Sequence, residues 1–303
     1  MNKHKFTIKS PFDGLELACT VYEPEISPKG ILQLVHGMAE HSVRYQKMME
    51  FFAKNGYVVA IHDQRGHGET AVTLDDRGWF NDKTATAVVE DVYAFTCELK
   101  RAYPNLPVYL YGHSMGSMVV RCYIQKYDNE IEKLIVCGSP SSNPLADIAV
   151  GVTKIISLVK GERYRSKTLE NLSTGKSNKP FESEGYGGWL NRDRENVEAY
   201  FNDPYCGFTF TCNGFENLFR LMKNTYTKRL YKVENPNLPI RFVSGSDDPI
   251  LVNERKWLQA HDFLREVGYH NVSGKLYHGL RHEIQNEPEQ LTVFQDLLRF
   301  IEE

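Results

Sequence analysis

Within residues 108–127 an apolar run, Val108-Tyr109-Leu110-Tyr111, leads without a break into Gly112-His113-Ser114-Met115-Gly116. From there it passes into an apolar-striped stretch ending at Tyr127. The run has the composition of a buried strand and the stripe has the periodicity of a helix, so Ser114 belongs on a sharp strand-to-helix turn. Strand and helix pass very close at such a turn, which accounts for the two glycines. The turn lifts the Ser114 hydroxyl above a sheet edge and aims the free N–H groups of a helix N-terminus beside it. G-x-S-x-G by itself is a common loop pattern. Its flanking strand and helix make it a chemical one, and they call for a base, an acid and an anion hole elsewhere in the chain.

The remaining sequence supplies the sheet that the turn requires. Residues 31–36, 57–61, 131–138, 240–244 and 272–277 read as further strands. Helical stretches near 45–54, 85–101, 253–266 and 288–301 lie between or after them. Strand–helix alternation at this spacing implies an α/β fold: a mostly parallel central sheet, helices on both faces, right-handed crossovers. An antiparallel hairpin over 6–9 and 15–22, turning at Pro11-Phe12-Asp13-Gly14, precedes it. Ligands of such sheets bind beyond the C-terminal strand ends, where His36-Gly37-Met38, Asp63 to Gly68 and Gly112 to Gly116 stand.

The alternation breaks once. Residues 139–232 carry no clear strand, helical patches near 148–159, 193–200 and 215–225, and a Gly/Ser/Lys-rich stretch over 173–179. Phe181, Tyr186, Trp189, Tyr200, Phe201, Tyr205, Phe208, Phe210, Phe215 and Phe219 are too many large apolar groups for disorder. The expected organisation is a core over 1–138, an inserted helical cap over 139–232 lying on the C-terminal sheet edge, and the rest of the core over 233–303. Most of the aromatics are expected to pack the cap's own core and a minority to line a pocket.

Composition excludes several classes. With 303 residues, 41% hydrophobic and a net charge of −3, the chain buries a sizeable core and has no basic run for nucleic acid. Residues 1–7 lack the apolar core of a signal peptide, and no stretch reaches the ~18 apolar residues of a membrane span. Of the six cysteines, Cys97, Cys122 and Cys137 fall in expected core elements, where a reduced thiol behaves as a small apolar group. Cys206 and Cys212 read as free thiols rather than a pair. A reduced, cytoplasmic protein is expected. Neither C-x-x-C nor H-E-x-x-H occurs, and no metal or cofactor is expected.

A serine hydroxyl becomes a nucleophile when a histidine, itself oriented by a carboxylate, takes its proton. His282, in the loop after the last strand, suits the chain order Ser, acid, His. His278 is its rival but lies where the chain is still leaving the strand, and His113 points the wrong way off the turn. Asp247 and Asp248 both stand at a strand end, and Asp248 precedes Pro249, which fixes the exit from the turn. Two backbone donors for an oxyanion are expected at Met115, directly after Ser114, and at Met38, where Gly37 lets the loop turn in. His36, His41, Arg65 and His67 read as loop-fixing groups. Lys154, Lys160, Arg163, Arg165 and Lys167 read as a solvated cap face rather than a membrane patch.

Taken together, His36-Gly37-Met38-Ala39-Glu40-His41, Asp63-Gln64-Arg65-Gly66-His67-Gly68, Gly112 to Gly116, Gly245-Ser246-Asp247-Asp248-Pro249 and His282 resemble the α/β-hydrolase fold. More narrowly the chain resembles its monoacylglycerol lipase/lysophospholipase-like, S33-type group, over nearly its whole length and most weakly in the cap. The resemblance implies Ser114, Asp248 and His282 as catalytic residues and Met38 and Met115 as oxyanion donors. It also implies that Glu40 and Arg44 shape the loop beside the site and contact substrate. The chain departs from the family in carrying Met38 or Ala39 where a small residue is frequent, and Thr70 where a serine is frequent. The implied activity is hydrolysis of small acyl esters, with a peptidase, thioesterase or lactonase as alternatives on the same triad and a non-catalytic binding protein as the remaining one. No nucleic-acid partner and no stable membrane insertion are expected, while a transient contact of the cap with a lipid surface stays open, as does the oligomeric state.

Overall fold

A computed structural model describes residues 1–303. Eight strands form one sheet: β1 (Asn2–Lys9), β2 (Glu16–Glu23), β3 (Gly30–Val35), β4 (Tyr57–His62), β5 (Val108–His113), β6 (Lys133–Cys137), β7 (Ile240–Gly245) and β8 (Val272–Tyr277). Their spatial order is β1-β2-β4-β3-β5-β6-β7-β8. The first hairpin is antiparallel, β2 joins β4 antiparallel, and every later pairing is parallel. An antiparallel edge on a parallel sheet follows from the patterns: β1 alternates exposed and half-buried residues, whereas β3 and β4 are buried throughout.

Two helices, α1 (Gln46–Lys54) and α9 (Gln290–Glu302), cover one face; α2 (Ala87–Ala102), α3 (Met115–Tyr127) and α8 (Glu254–Val267) cover the other. The two-residue period of the strands divides the core between these layers. Leu32, Leu34, Tyr111 and Ile135 pack with Met48, Phe52, Phe294 and Leu297, while Ile31, Val35, Leu110 and Leu134 pack with Val92, Val119 and Leu264. One expected core thiol is elsewhere: Cys97 is exposed on α2, because the helix turns that position away from Phe95 and Leu99.

Between β6 and β7 lie α4 (Ala146–Lys160), α5 (Lys167–Ser173), α6 (Arg194–Asn202) and α7 (Cys212–Thr225). Three have side-chain N-caps at Ser166, Asp193 and Thr211. The short α5 was not anticipated; it lies at the edge of the Gly/Ser/Lys-rich stretch, where no apolar stripe announces it. The aromatics divide differently from expectation. Phe210, Phe215 and Phe219 are fully buried and join the main core through α7, which packs on α3. Only Leu190, Tyr200 and Cys206, with Trp189 against them, form a separate small cluster. All six cysteines are free.

Candidate active site

Ser114 stands at φ +53°, ψ −117°, a region that non-glycine residues avoid at a cost of about 1–3 kcal/mol. The packing around it forces this. A Cβ on Gly116 would lie 2.2 Å from the Val35 carbonyl oxygen, and one on Gly112 would lie 2.4 Å from the Gly116 carbonyl oxygen. Strand β5 and helix α3 therefore meet at backbone contact, and only glycine fits on either side of the serine.

The loops after β7 and β8 converge on it. The Ser114 hydroxyl lies 2.8 Å from His282 Nε2, and His282 Nδ1 lies 2.9 Å from Asp248 Oδ2. Asp248 also accepts the Ser244 hydroxyl at 3.1 Å and the Ile250 N–H at 2.9 Å, so it is a buried acceptor without room to turn. An acceptor on Nδ1 places the imidazole proton there and leaves Nε2 free to accept from Ser114. The rivals are elsewhere, since His278 and Asp247 are both exposed. The His282 ring sits between His113, at a centroid distance of 4.8 Å, and Trp189, at 5.0 Å.

The loop after β3 closes against Ser114: a Cβ on Gly37 would lie 3.2 Å from the Ser114 Cβ. Beneath it Glu40 is buried, accepting hydrogen bonds from the Gly37 N–H, from the Tyr45 hydroxyl at 2.8 Å and from His113 Nδ1 at 3.1 Å. Burial would raise the Glu40 pKa, yet His113 and Arg44 hold it far below the usual carboxylate range. His113 Nε2 donates to the His282 carbonyl at 3.1 Å. Both His113 nitrogens thus face acceptors, and although burial opposes its charge, Glu40 raises its pKa. This ring joins the Glu40 loop to the backbone of His282. It was not read as a site residue from the sequence, where its place beside Ser114 was the only signal.

Arg44, expected to contact substrate, does not line the cavity over Ser114. Its guanidinium is ion-paired with Glu283 and Glu40 and lies over the Tyr200 ring, so its charge is spent on holding the loop. Glu40 is consumed in the same way, although it borders the cavity floor. The other loop-fixing residues are placed as anticipated. Arg65 pairs with Asp91 and Asp13, His67 accepts the Ala39 N–H at 3.2 Å, His36 accepts the Gln64 N–H at 2.9 Å, and His41 pairs with Asp203.

The family model for serine aminopeptidase, S33, matches residues 26–289. The chain belongs to this family. Among its relatives are the monoacylglycerol lipase of Mycolicibacterium smegmatis, 28% identical with 95% of this chain and 93% of that one covered, and the monoglyceride lipase of Homo sapiens, 25% identical with 94% and 86% covered. The solved carboxyl esterase of Bacillus coagulans in complex with glycerol superimposes with a TM-score of 0.91 at 28% identity, covering 100% of this chain and 98% of that one.

In this S33-family chain a cavity of about 780 Å3 opens over Ser114 and His282. That size falls within the range of small-molecule sites. Met38, Met118, Leu218, Met222 and Phe208 are among its apolar lining; Asn171, Ser173, Thr174, Ser177 and Asn178, from α5 and the turns after it, are among its polar lining. Tyr186, Trp189, Tyr200, Phe201 and Phe208 all face it, half of the ten aromatics rather than a minority. The carboxylates bordering it are Glu40, Glu170 and Glu283. The first and last are bound to Arg44, and Glu170 accepts the Thr209 hydroxyl. Of the cap carboxylates that could have held a free amine, Glu162 pairs with Lys83 and Glu184 with Arg281, and neither these nor Glu182 and Glu195 border the cavity. Of the cations expected on a solvated face, Lys154, Lys160, Arg163 and Lys167 are exposed, while Arg165 is half-buried; both arginines reach the loop at Leu74 to Asp76.

Proposed function

We propose that Ser114, His282 and Asp248 hydrolyse monoacylglycerol-like or lysophospholipid-like esters through an acyl-enzyme. The chain is a serine hydrolase of carboxylic esters, and the substrate class and residue roles are our reading. The observation that carries it is the unbroken relay from Ser114 Oγ to His282 to Asp248, at 2.8 and 2.9 Å, beneath a cavity lined by both apolar and polar side chains. Ser114 attacks the acyl carbon, its proton passes to His282 Nε2, and Asp248 stabilises the imidazolium. The carbonyl electron pair moves to oxygen, which the Met38 and Met115 N–H groups receive; each donor contributes about 3 kcal/mol to the transition state. His282 returns the proton to the leaving alkoxide. Water, deprotonated by the same imidazole, then releases the acid and restores Ser114. The acyl chain lies against Met118, Leu218 and Met222, and the hydroxylated head group against Asn171 to Asn178. Residues 139–232 act as the cap.

An aminopeptidase would need a free carboxylate in the cavity for the substrate amine, and the bordering ones are engaged. The six free thiols support a reducing, cytoplasmic setting. No helix is long and apolar enough to cross a membrane. Transient contact with a lipid surface is assigned to α4, on which Ile148, Ile155, Leu158 and Val159 are 61–87% exposed. The test is Ser114→Ala with a panel of short and long acyl esters, monoacylglycerols, lysophospholipids and aminoacyl amides. The parent should label with a fluorophosphonate and prefer monoacyl lipids, and the variant should do neither. Turnover by the variant, or a preference for amides, would overturn the assignment.

A further inference from the structure

The loop bearing Met38 is held from above as well as from below, and the upper hold comes from the cap. Ala39 stands at φ +51°, a conformation that residues with a Cβ seldom adopt. Its carbonyl faces the cap and accepts two hydrogen bonds at once, from the Tyr200 hydroxyl and from the Gly207 N–H, each at 2.9 Å. Its N–H is taken by His67. Two residues on, His41 Nε2 and Asp203 Oδ2 meet at 2.8 Å. The end of α6 and the turn after it therefore grip residues 39–41 at three points. Tyr200 is buried; burial, with Cys206, Glu283 and Glu40 nearby, pushes its pKa well above that of a free phenol, so its oxygen keeps its proton and donates. Ala39 is thus held at both its N–H and its carbonyl, directly after Met38, whose N–H is the oxyanion donor in the reading above.

We propose that Tyr200 is a positioning residue for the oxyanion hole. Its hydroxyl, together with the Gly207 N–H, holds the Ala39 carbonyl so that the Met38 N–H points at the acyl oxygen, and ester cleavage is thereby tied to the cap resting on this loop. The inference depends on Ser114 and Met38 having the roles given under Proposed function. It names a residue outside the triad whose effect should appear in the transition state and not in ground-state binding.

Tyr200→Phe removes one oxygen and leaves the ring beneath Arg44, whose guanidinium lies 4.9 Å from it. Three quantities separate positioning from packing: kcat and KM on a soluble p-nitrophenyl ester, affinity for an alkyl trifluoromethyl ketone, and affinity for the matching unreactive ether. The ketone adds Ser114 Oγ, passes the serine proton to His282 and becomes an oxyanion in the hole; the ether fills the cavity only. A partly misplaced donor should lower kcat about tenfold. Ketone affinity should fall by the same factor, with KM, ether affinity and Tm nearly unchanged. An unchanged kcat, or ether binding weakened as much as ketone binding, overturns the positioning role while leaving the triad in place. A parent that hydrolyses no ester and takes no fluorophosphonate at Ser114 overturns the reading of the site, and this inference with it.

Discussion

Asp248 accepts three hydrogen bonds, from His282, Ser244 and Ile250. Replacing it by Asn preserves volume but presents an amide to a ring nitrogen that already carries a proton. The ring then turns over to the wrong tautomer and cannot accept from Ser114. Asp248→Asn is expected to lower kcat by roughly four orders of magnitude. Its urea midpoint should stay close to the parent's, and a full collapse of folding would contradict the view that the carboxylate serves the reaction rather than the fold. His113 illustrates the same scale from the opposite side. Its neighbour in sequence is Ser114, yet its contacts are with Glu40 and the His282 carbonyl. It works beneath the site, joining the Glu40 loop to the His282 backbone.

Helix α4 presents two different faces. Ala146, Val150 and Thr153 are buried, and the helix packs on α7. Ile148, Ile155, Leu158 and Val159 face outward beside the exposed Lys154 and Lys160. An apolar face flanked by lysines is the composition that settles into the head-group layer of a membrane. The double substitution Ile155→Asp, Leu158→Asp is expected to weaken co-sedimentation with anionic vesicles at least about tenfold, since two apolar anchors become charges. Turnover of a short soluble ester should be unaffected, because these positions do not border the cavity. Equal losses in both assays would assign the helix to folding rather than to lipid contact.

At the scale of the whole molecule, buried histidines set the acid limit. Burial pushes the pKa of His62 and of His67 down to about 3 and that of His261 to about 4, and lowers that of His36. Between about pH 6.5 and these values the unfolded chain binds protons that the folded chain refuses, so stability must fall as pH falls through that window. His113 works in the opposite sense: its raised pKa adds stability on the acid side that fades as pH rises. The lowered group is the larger one, and the midpoint of urea unfolding is expected to drop steadily from pH 7 to pH 5. His62, both of whose ring nitrogens lack partners, offers the cleanest check. His62→Leu should reduce the pH slope of the unfolding free energy by at most about 1.4 kcal/mol per pH unit, the full value being reached near pH 5. An unchanged slope would mean that this ring charges in the folded state.

Much of this molecule was legible in one dimension. Strand and helix periods are local properties, so the α/β alternation, its single interruption and the strained turn at Ser114 could be read from residue order, as could the chain order of serine, acid and base. Short-range signals could not show what depends on packing between distant segments. Asp247 and Asp248, or His278 and His282, are equivalent by composition, and only the tertiary structure turns one of each pair inward. Glu40 and Arg44 carry charges that suit a ligand, yet Glu283, more than two hundred residues away, draws Arg44 into an ion pair. Phe210, Phe215 and Phe219 joined the main core because α7 docks on α3, and no pattern within residues 139–232 encodes the docking. Local sequence specified which groups are present and on which element. The burial of charges and the division of apolar surface between core and cavity were decided by which elements meet, because those free energies depend on partners that adjacency in the chain does not supply.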